Sequence, residues 1–398
     1  MKRKIGTSAR GIRCPIVRSG DNLATIVVDS VLAAAKSDGF SLRDRDIVGI
    51  TESLLARAQG NYASIDAIAA AIKEKFPSGE LGVIFPILSR NRFATLLRGI
   101  ARGAKKIYLM LSYPRDEVGN ALLPESLIEK AGINPYTDML TVAEFRKHFG
   151  YPKHEFTGID YVELYTDLVL AEGCKIELLF ANHAQMILKY TKNVLTCDVH
   201  TRLQSKQKLR ACGAAIVYGL DDLLTKPQLG EKGYNPKYGL LGSNKATEDS
   251  IKLFPRNGQV LVEQIQKMFL DKTGKHIEVL VYGDGAFKDP QGHIWELADP
   301  VVSPFFTLGL SGTPNEVKLK YLADNDFKSL TGAKLTKAIE KSIKDKPKHL
   351  VGTKATLGTT PRQITDLVGS LCDLVSGSGD KGTPVVLIQG YFDNFTDN

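Results

Sequence analysis

Asp46-Ile-Val-Gly-Ile-Thr-Glu-Ser-Leu-Leu-Ala-Arg57-Ala-Gln-Gly60 is the stretch that decides how this chain is read. Asp46 to Thr51 is a short aliphatic run, which predicts a buried strand. Upstream, Leu23, Ile26, Val27, Val31 and Leu32 share one helix face. Asp21 is placed to cap that helix and Gly39 to end it. Downstream, apolar spacing predicts helices over 64–76, 92–102, 259–272, 332–344 and 364–375. Strands are expected over 107–111, 175–180, 214–218, 277–281 and 385–389, with 81–88 extended. Residues 112–174 read as loop-rich because of Pro114, Pro124, Pro135 and Pro152, and residues 218–244 read as a long functional loop. Alternating helices and strands predict an α+β (mixed α/β) protein.

Composition narrows the class. The chain has 398 residues, 43% of them hydrophobic and 24% charged, which excludes a disordered or collagen-like chain. Its length exceeds one ordinary domain. Five cysteines (14, 174, 197, 212 and 372) are odd in number and lack CxxC spacing. That excludes a disulfide framework or zinc knuckle, and all five are expected to pack as small apolar residues in a reducing compartment. Met1-Lys-Arg-Lys is not followed by an apolar segment, and no apolar run nears the roughly 20 residues of a membrane span. The expectation is a cytoplasmic protein that does not cross a membrane. The formal charge of +8 suits either nucleic acid or small anions.

Common nucleotide signatures are missing. No GxxxxGK[ST] is present, and Gly283-Asp-Gly285 runs into Ala286-Phe-Lys288, so GxGxxG fails. HExxH, GxSxG and kinase patterns are also missing.

Several segments in a shared order resemble the coenzyme F-420:L-glutamate ligase family, the γ-glutamyl ligases that add glutamate to a deazaflavin coenzyme. Cys14-Pro15, Ser19-Gly-Asp-Asn-Leu23 and the opening stretch through Gly60 are similar to the family's Gly-Asp-Asp-Leu start and its Ser-Lys-Ala-Glu-Gly motif. Gly239-Leu-Leu-Gly-Ser-Asn244 resembles its Ala-Gly-Ile-Asp-x-Ser-Asn loop, followed by Leu253-Phe-Pro255. Tyr282-Gly-Asp284-Gly285 falls where the family has an Asp-Thr pair. Asp366 to Gly377 and Gly382-Thr-Pro384 to Gly390 are similar to its closing helix and Pro-led strand. The matched blocks are 11–62 and 235–390. The resemblance implies a ligase-like core in residues 1–80 and 213–398, interrupted by an inserted or expanded subdomain over 81–212. Three positions depart from the pattern: the loop Asp is Leu241, the motif Lys is Arg57, and the Thr is Gly285.

The resemblance also implies a chemistry. A carboxylate acceptor similar to coenzyme F-420-0 is activated as an acyl phosphate by GTP or ATP with Mg2+ or Mn2+, and a glutamate amine attacks it. The partners are then a nucleotide, glutamate and the acceptor, and the implied assembly is a homodimer. Such a reaction needs positioning and neutralised phosphate charge. Carried over by position, Arg57 and Asp284 are catalytic, and Pro15, Glu52, Ser53, Arg57, Ser243 and Asn244 bind nucleotide. Asp284 is the first metal candidate, and Asp299 the best replacement for the missing loop carboxylate, ahead of Glu296 and His293. Each has a plain alternative, a turn residue or a solvated surface group.

From the residues themselves, Ser89-Arg-Asn-Arg92 sits at a strand-to-helix junction, so Arg90 and Arg92 are placed to bind substrate carboxylates or phosphates. Arg98 and Arg102 continue that face, which equally reads as solvated. Lys206, Lys208 and Arg210, near His200 and Arg202, form a second basic patch with the same two readings. Two other functions stay open: a folate-type polyglutamate ligase, and a non-catalytic nucleotide- or nucleic-acid-binding relative. Leu241 favours the last, but the lack of aromatics among the basic residues counts against nucleic acid.

Overall fold

β2 (Ile47–Thr51) is the middle of one of two large sheets in the computed structural model. Described are residues 4–90, 92–154, 158–283, 286–288, 295–297, 304–350, 352–356, 362–377 and 379–396. Along the chain the strands are β1 (Ser8–Ile12), β2, β3 (Tyr62–Ser64), β4 (Glu80–Ile84), β5 (Lys106–Leu111), β6 (Leu140–Thr141), β7 (Lys175–Phe180), β8 (Asn193–Thr196), β9 (Ile216–Gly219), β10 (Asn244–Lys245), β11 (Ser250–Lys252), β12 (Glu278–Tyr282), β13 (Ala286–Lys288), β14 (Trp295–Leu297), β15 (Phe305–Phe306) and β16 (Val385–Gln389).

The first sheet has the order β1-β16-β2-β12-β15. β2 pairs parallel with β12, Thr51 opposite Tyr282, and antiparallel with β16. Both faces are covered, which is why its strands carry unbroken apolar runs. Val48, Ile50, Val279, Val281, Val385 and Leu387 face the helices Leu23–Ser37 and Gly258–Thr273. Ile47, Leu280, Tyr282, Val386 and Ile388 face the helix Ile364–Val375. Asn22, rather than Asp21, caps the helix Leu23–Ser37, by accepting from the Thr25 amide at 3.2 Å. Asp21 sits one residue too far upstream, and accepts instead from the Arg18 amide at 2.7 Å.

The second sheet takes all its strands from one continuous stretch, in the order β6-β7-β5-β4-β8-β9. β7, β5, β4, β8 and β9 are parallel, and β6 is an antiparallel edge. Counted along the chain, the parallel strands run 3-2-1-4-5, a doubly wound arrangement with its switch point between β4 and β8. The helices Ile65–Lys75, Phe93–Gly103 and Tyr161–Ala171 cover one face, and Arg202–Ala211 the other. The core of this sheet reaches past residues 81–212 on both sides, to Ala63–Phe76 and to Leu240, Leu241, Ile251 and Leu253. Residues 112–174 are not loop-rich: they hold the helices Glu125–Ala131, Val142–Phe149 and Tyr161–Ala171. Pro124 is the residue just before one of them, so proline marks a helix start there.

A small sheet, β10-β11-β3, joins the two large ones. The fold is mixed α/β throughout. Cys174, Cys197 and Cys372 are buried as expected and Cys14 is partly buried against the core, but Cys212 is exposed. Among the described residues, no helix is long and apolar enough to cross a membrane.

Candidate active site

The carboxyl end of β2, the helix that follows it and one face of the small sheet enclose a cleft of about 910 Å3. Thr51, Glu52, Ser53 and Arg57 supply one wall, and Tyr62, Asn244, Ser250 and Lys252 another. Ile16, Arg18 and Ser19 form the lip.

The walls follow from local rules. The helix Glu52–Ala58 begins as soon as β2 ends, which puts Glu52 and Ser53 at the strand's carboxyl end. The loop carrying Ser19-Gly20 docks on that helix: the Gly20 amide donates to the Ala58 carbonyl at 2.8 Å, and Arg57 Nε donates to the Val17 carbonyl at 2.6 Å. Gly60, at φ +61°, is needed here, because a Cβ would lie 2.3 Å from Ser19 Oγ. The anchored Nε fixes the plane of the exposed Arg57 guanidinium at the cleft mouth.

Lys252, like Tyr62, is a residue that sequence reasoning missed. It lies on β11, opposite Asn244 of β10 and Tyr62 of β3. Directly opposed antiparallel residues project to the same face, so Tyr62, Lys252 and Asn244 form one row along this wall of the cleft. Lys252 is 8% exposed, and its Nζ donates to Glu52 Oε1 at 3.0 Å. The Glu52 side chain in turn lies against Gly283, where a Cβ would stand 2.4 Å from Glu52 Cγ. A lysine between Ile251 and Leu253 was the available signal, since Lys is almost never fully buried unless paired.

The neighbouring loop is set by Gly239 (φ +53°) and Gly242 (φ +70°), both in backbone that favours glycine. It turns Asn244 into the cleft and Ser243 away, into a small apolar pocket of about 50 Å3. That pocket is lined by Arg92, Cys197, Val199, Leu240 and Leu241, so it lies at the switch-point end of the second sheet. Pro15 and Arg90 are exposed and line neither space.

Four of the other basic residues are engaged in ion pairs within the fold, while Arg210 donates to the Val217 carbonyl at 3.3 Å and Lys208 lies 3.5 Å from His183 Nδ1. Arg98 and Arg102 both hold Glu172, at 2.9 and 2.8 Å. Lys206 sits between Asp221 and Asp222, each at 2.7 Å, and Arg202 reaches Asp221 at 3.4 Å. Cys14, beside the lip, is pushed up in pKa by burial, so its thiol stays protonated.

The chain matches the family model described as F420-0:Gamma-glutamyl ligase over residues 11–390. The chain belongs to that family. No individual curated protein matches it. As an F420-0:gamma-glutamyl ligase family member it is an amide-bond-forming ligase. The match includes the doubly wound sheet, so the segment between the two motif blocks lies within the matched range.

The described residues of the cleft do not fit a resident divalent cation. Mg2+ takes about six oxygen ligands. Glu52 is the one carboxylate lining the described cleft, and its Oε1 is held by Lys252. Nowhere among the described residues do three or more His, Cys, Asp or Glu side chains converge on a metal position. Leu241, at the family's loop Asp, is 1% exposed in an apolar core. Asp284, Gly285, His293 and Asp299 lie outside the described residues, as does the side chain of Glu296.

Proposed function

We propose that this cleft binds a nucleoside triphosphate, GTP or ATP, and uses it to join glutamate to a carboxylate acceptor resembling F420-0. The observation that supports this is the gathering of Arg18, Arg57, Lys252, Asn244 and Tyr62 around one cleft with a single lining carboxylate among its described residues. Cations there suit a polyphosphate, and a planar Arg fork suits bidentate contact with it. Tyr62 offers a face for a base or a deazaflavin ring.

The reaction divides into two displacements. An acceptor carboxylate oxygen attacks the γ-phosphorus, the bond to the β,γ-bridging oxygen breaks, and the nucleoside diphosphate leaves. The glutamate nitrogen then attacks the acyl carbon, and phosphate departs with the electrons of the C–O bond. The amine proton passes to phosphate or solvent. In this reading Arg57 and Arg18 neutralise charge at the cleft mouth, and Asn244 and Ser53 orient the nucleotide. Any Mg2+ arrives with the triphosphate as part of the substrate. Arg92, beside Ser243 in the adjoining pocket, is placed for a carboxylate of the acceptor or of glutamate.

The test is turnover. The protein is incubated with GTP or ATP, Mg2+, glutamate and either F420-0 or a folate, and diphosphate release and product mass are followed. A mass gain of one glutamate residue on F420-0 is expected. Product on folate alone would replace the acceptor, and no product with either would overturn the reading.

A further inference from the structure

The cleft has a buried ammonium in one wall, paired with its one described carboxylate. We propose that Lys252 is a phosphate-neutralising group of this ligase, on which nucleotide binding in the cleft depends. This rests on the nucleotide reading above and deepens it.

Three observations carry the inference. First, Lys252 is built in: it is 8% exposed at the centre of a cross-strand row with Tyr62 and Asn244, and all three line the cleft. Second, the surroundings hold its partner in place. Glu52 reaches Lys252 at 3.0 Å only because Gly283 has no Cβ in its path. A buried pair of this kind is weak evidence for stability, because desolvation opposes the attraction. Function is the better account of its position. Third, Leu241 is sealed in an apolar core and contributes no ligand to the cleft. An ammonium has three donors on a compact charge. One can stay on Glu52 while the others meet phosphate oxygens, so Glu52 is a positioning residue that keeps Nζ aimed across the row.

The experiment is calorimetric titration of the full chain with GTP and with ATP in Mg2+. Lys252→Met is expected to bind about tenfold or more weakly than wild type, the loss of one charge-assisted contact. Lys252→Arg should recover most of the affinity. Because Lys252→Met leaves Glu52 without its cation, the pair Glu52→Gln with Lys252→Met is titrated alongside, with a thermal melt to establish folding. A folded double variant that binds like wild type overturns the proposal. The nucleotide reading survives that result. Wild type that binds neither nucleotide overturns both.

Discussion

The doubly wound sheet and the ligase cleft use basic residues in opposite ways. In the sheet, Arg98, Arg102 and Lys206 are each locked between two acidic partners. In the cleft, Arg18, Arg57 and Lys252 stand around a space with one described carboxylate. The difference teaches that net charge says little until pairing is known. Some of the positive charge of a +8 chain serves as internal cross-links, and the residue that looked least like a ligand group, Lys252 in an apolar strand, faces the cleft.

The strongest way to break this comparison is Glu172→Ala. Glu172 is 9% exposed at its side chain and ties Arg98 and Arg102 of one helix to the end of another. Removing it leaves two partly buried guanidiniums short of a partner, at a cost of about 3 kcal/mol in unfolding free energy. Urea denaturation measures this, with nucleotide affinity of the folded fraction unchanged. A loss below about 0.5 kcal/mol, typical of surface pairs, would mean the cross-link reading is wrong.

Gly283→Ala comes next. Its Cβ would lie 2.4 Å from Glu52 Cγ, so the Glu52 side chain must move. Overpacking of this kind costs about 1–3 kcal/mol, read as a lowered melting temperature. Weaker nucleotide binding should accompany it, because Glu52 carries Lys252. Unchanged affinity in a destabilised variant would separate Glu52 from binding. Arg57→Ala should lower kcat/KM by about tenfold, near 1.4 kcal/mol, with stability within about 0.5 kcal/mol because the side chain is exposed. An equal effect on stability would make its contact with the Val17 carbonyl the main role.

The sequence made much of the fold legible and less of the cleft. β2, β12 and β16 were readable because they are apolar and buried on both faces, and β7 because its last three residues are apolar and buried. β8 and the helix Arg202–Ala211 were not, since a polar helix with few buried residues shows little periodicity. Sheet order was out of reach, because β2 and β12 pair across more than two hundred residues. In the cleft, Glu52, Ser53, Arg57 and Asn244 share a space, as the resemblance to the family implied. Lys252 and Tyr62 escaped because only strand register puts them beside Asn244. The basic clusters at 98–102 and 202–210 were legible as charge, but their acidic partners lie on other elements.

The smallest expected effect is also the one that contrasts the two regions by pH. At the switch-point end of the doubly wound sheet, Asp116, Glu117 and Asp198 are all pushed up in pKa, first by burial. Glu117 accepts from the Val199, His200 and Thr201 amides, and Asp198 Oδ2 accepts from Thr201 Oγ1 and Ser205 Oγ at 2.6 and 2.7 Å. Those bonds favour ionisation, but desolvation outweighs them. A carboxyl whose pKa is higher folded than unfolded holds its proton more tightly in the native state. Its contribution to stability is therefore complete below the ordinary carboxylate pKa of about 4, and is lost as pH rises through the raised folded value. Asp198→Asn keeps an oxygen acceptor for Thr201 and Ser205 but cannot titrate. Urea midpoints measured from pH 4.5 to 7 should fall less steeply in Asp198→Asn than in wild type, by less than the roughly 1.4 kcal/mol per pH unit of one full proton. Superimposable slopes would mean that Asp198 is ionised in both states, and that hydrogen bonding rather than burial sets its charge.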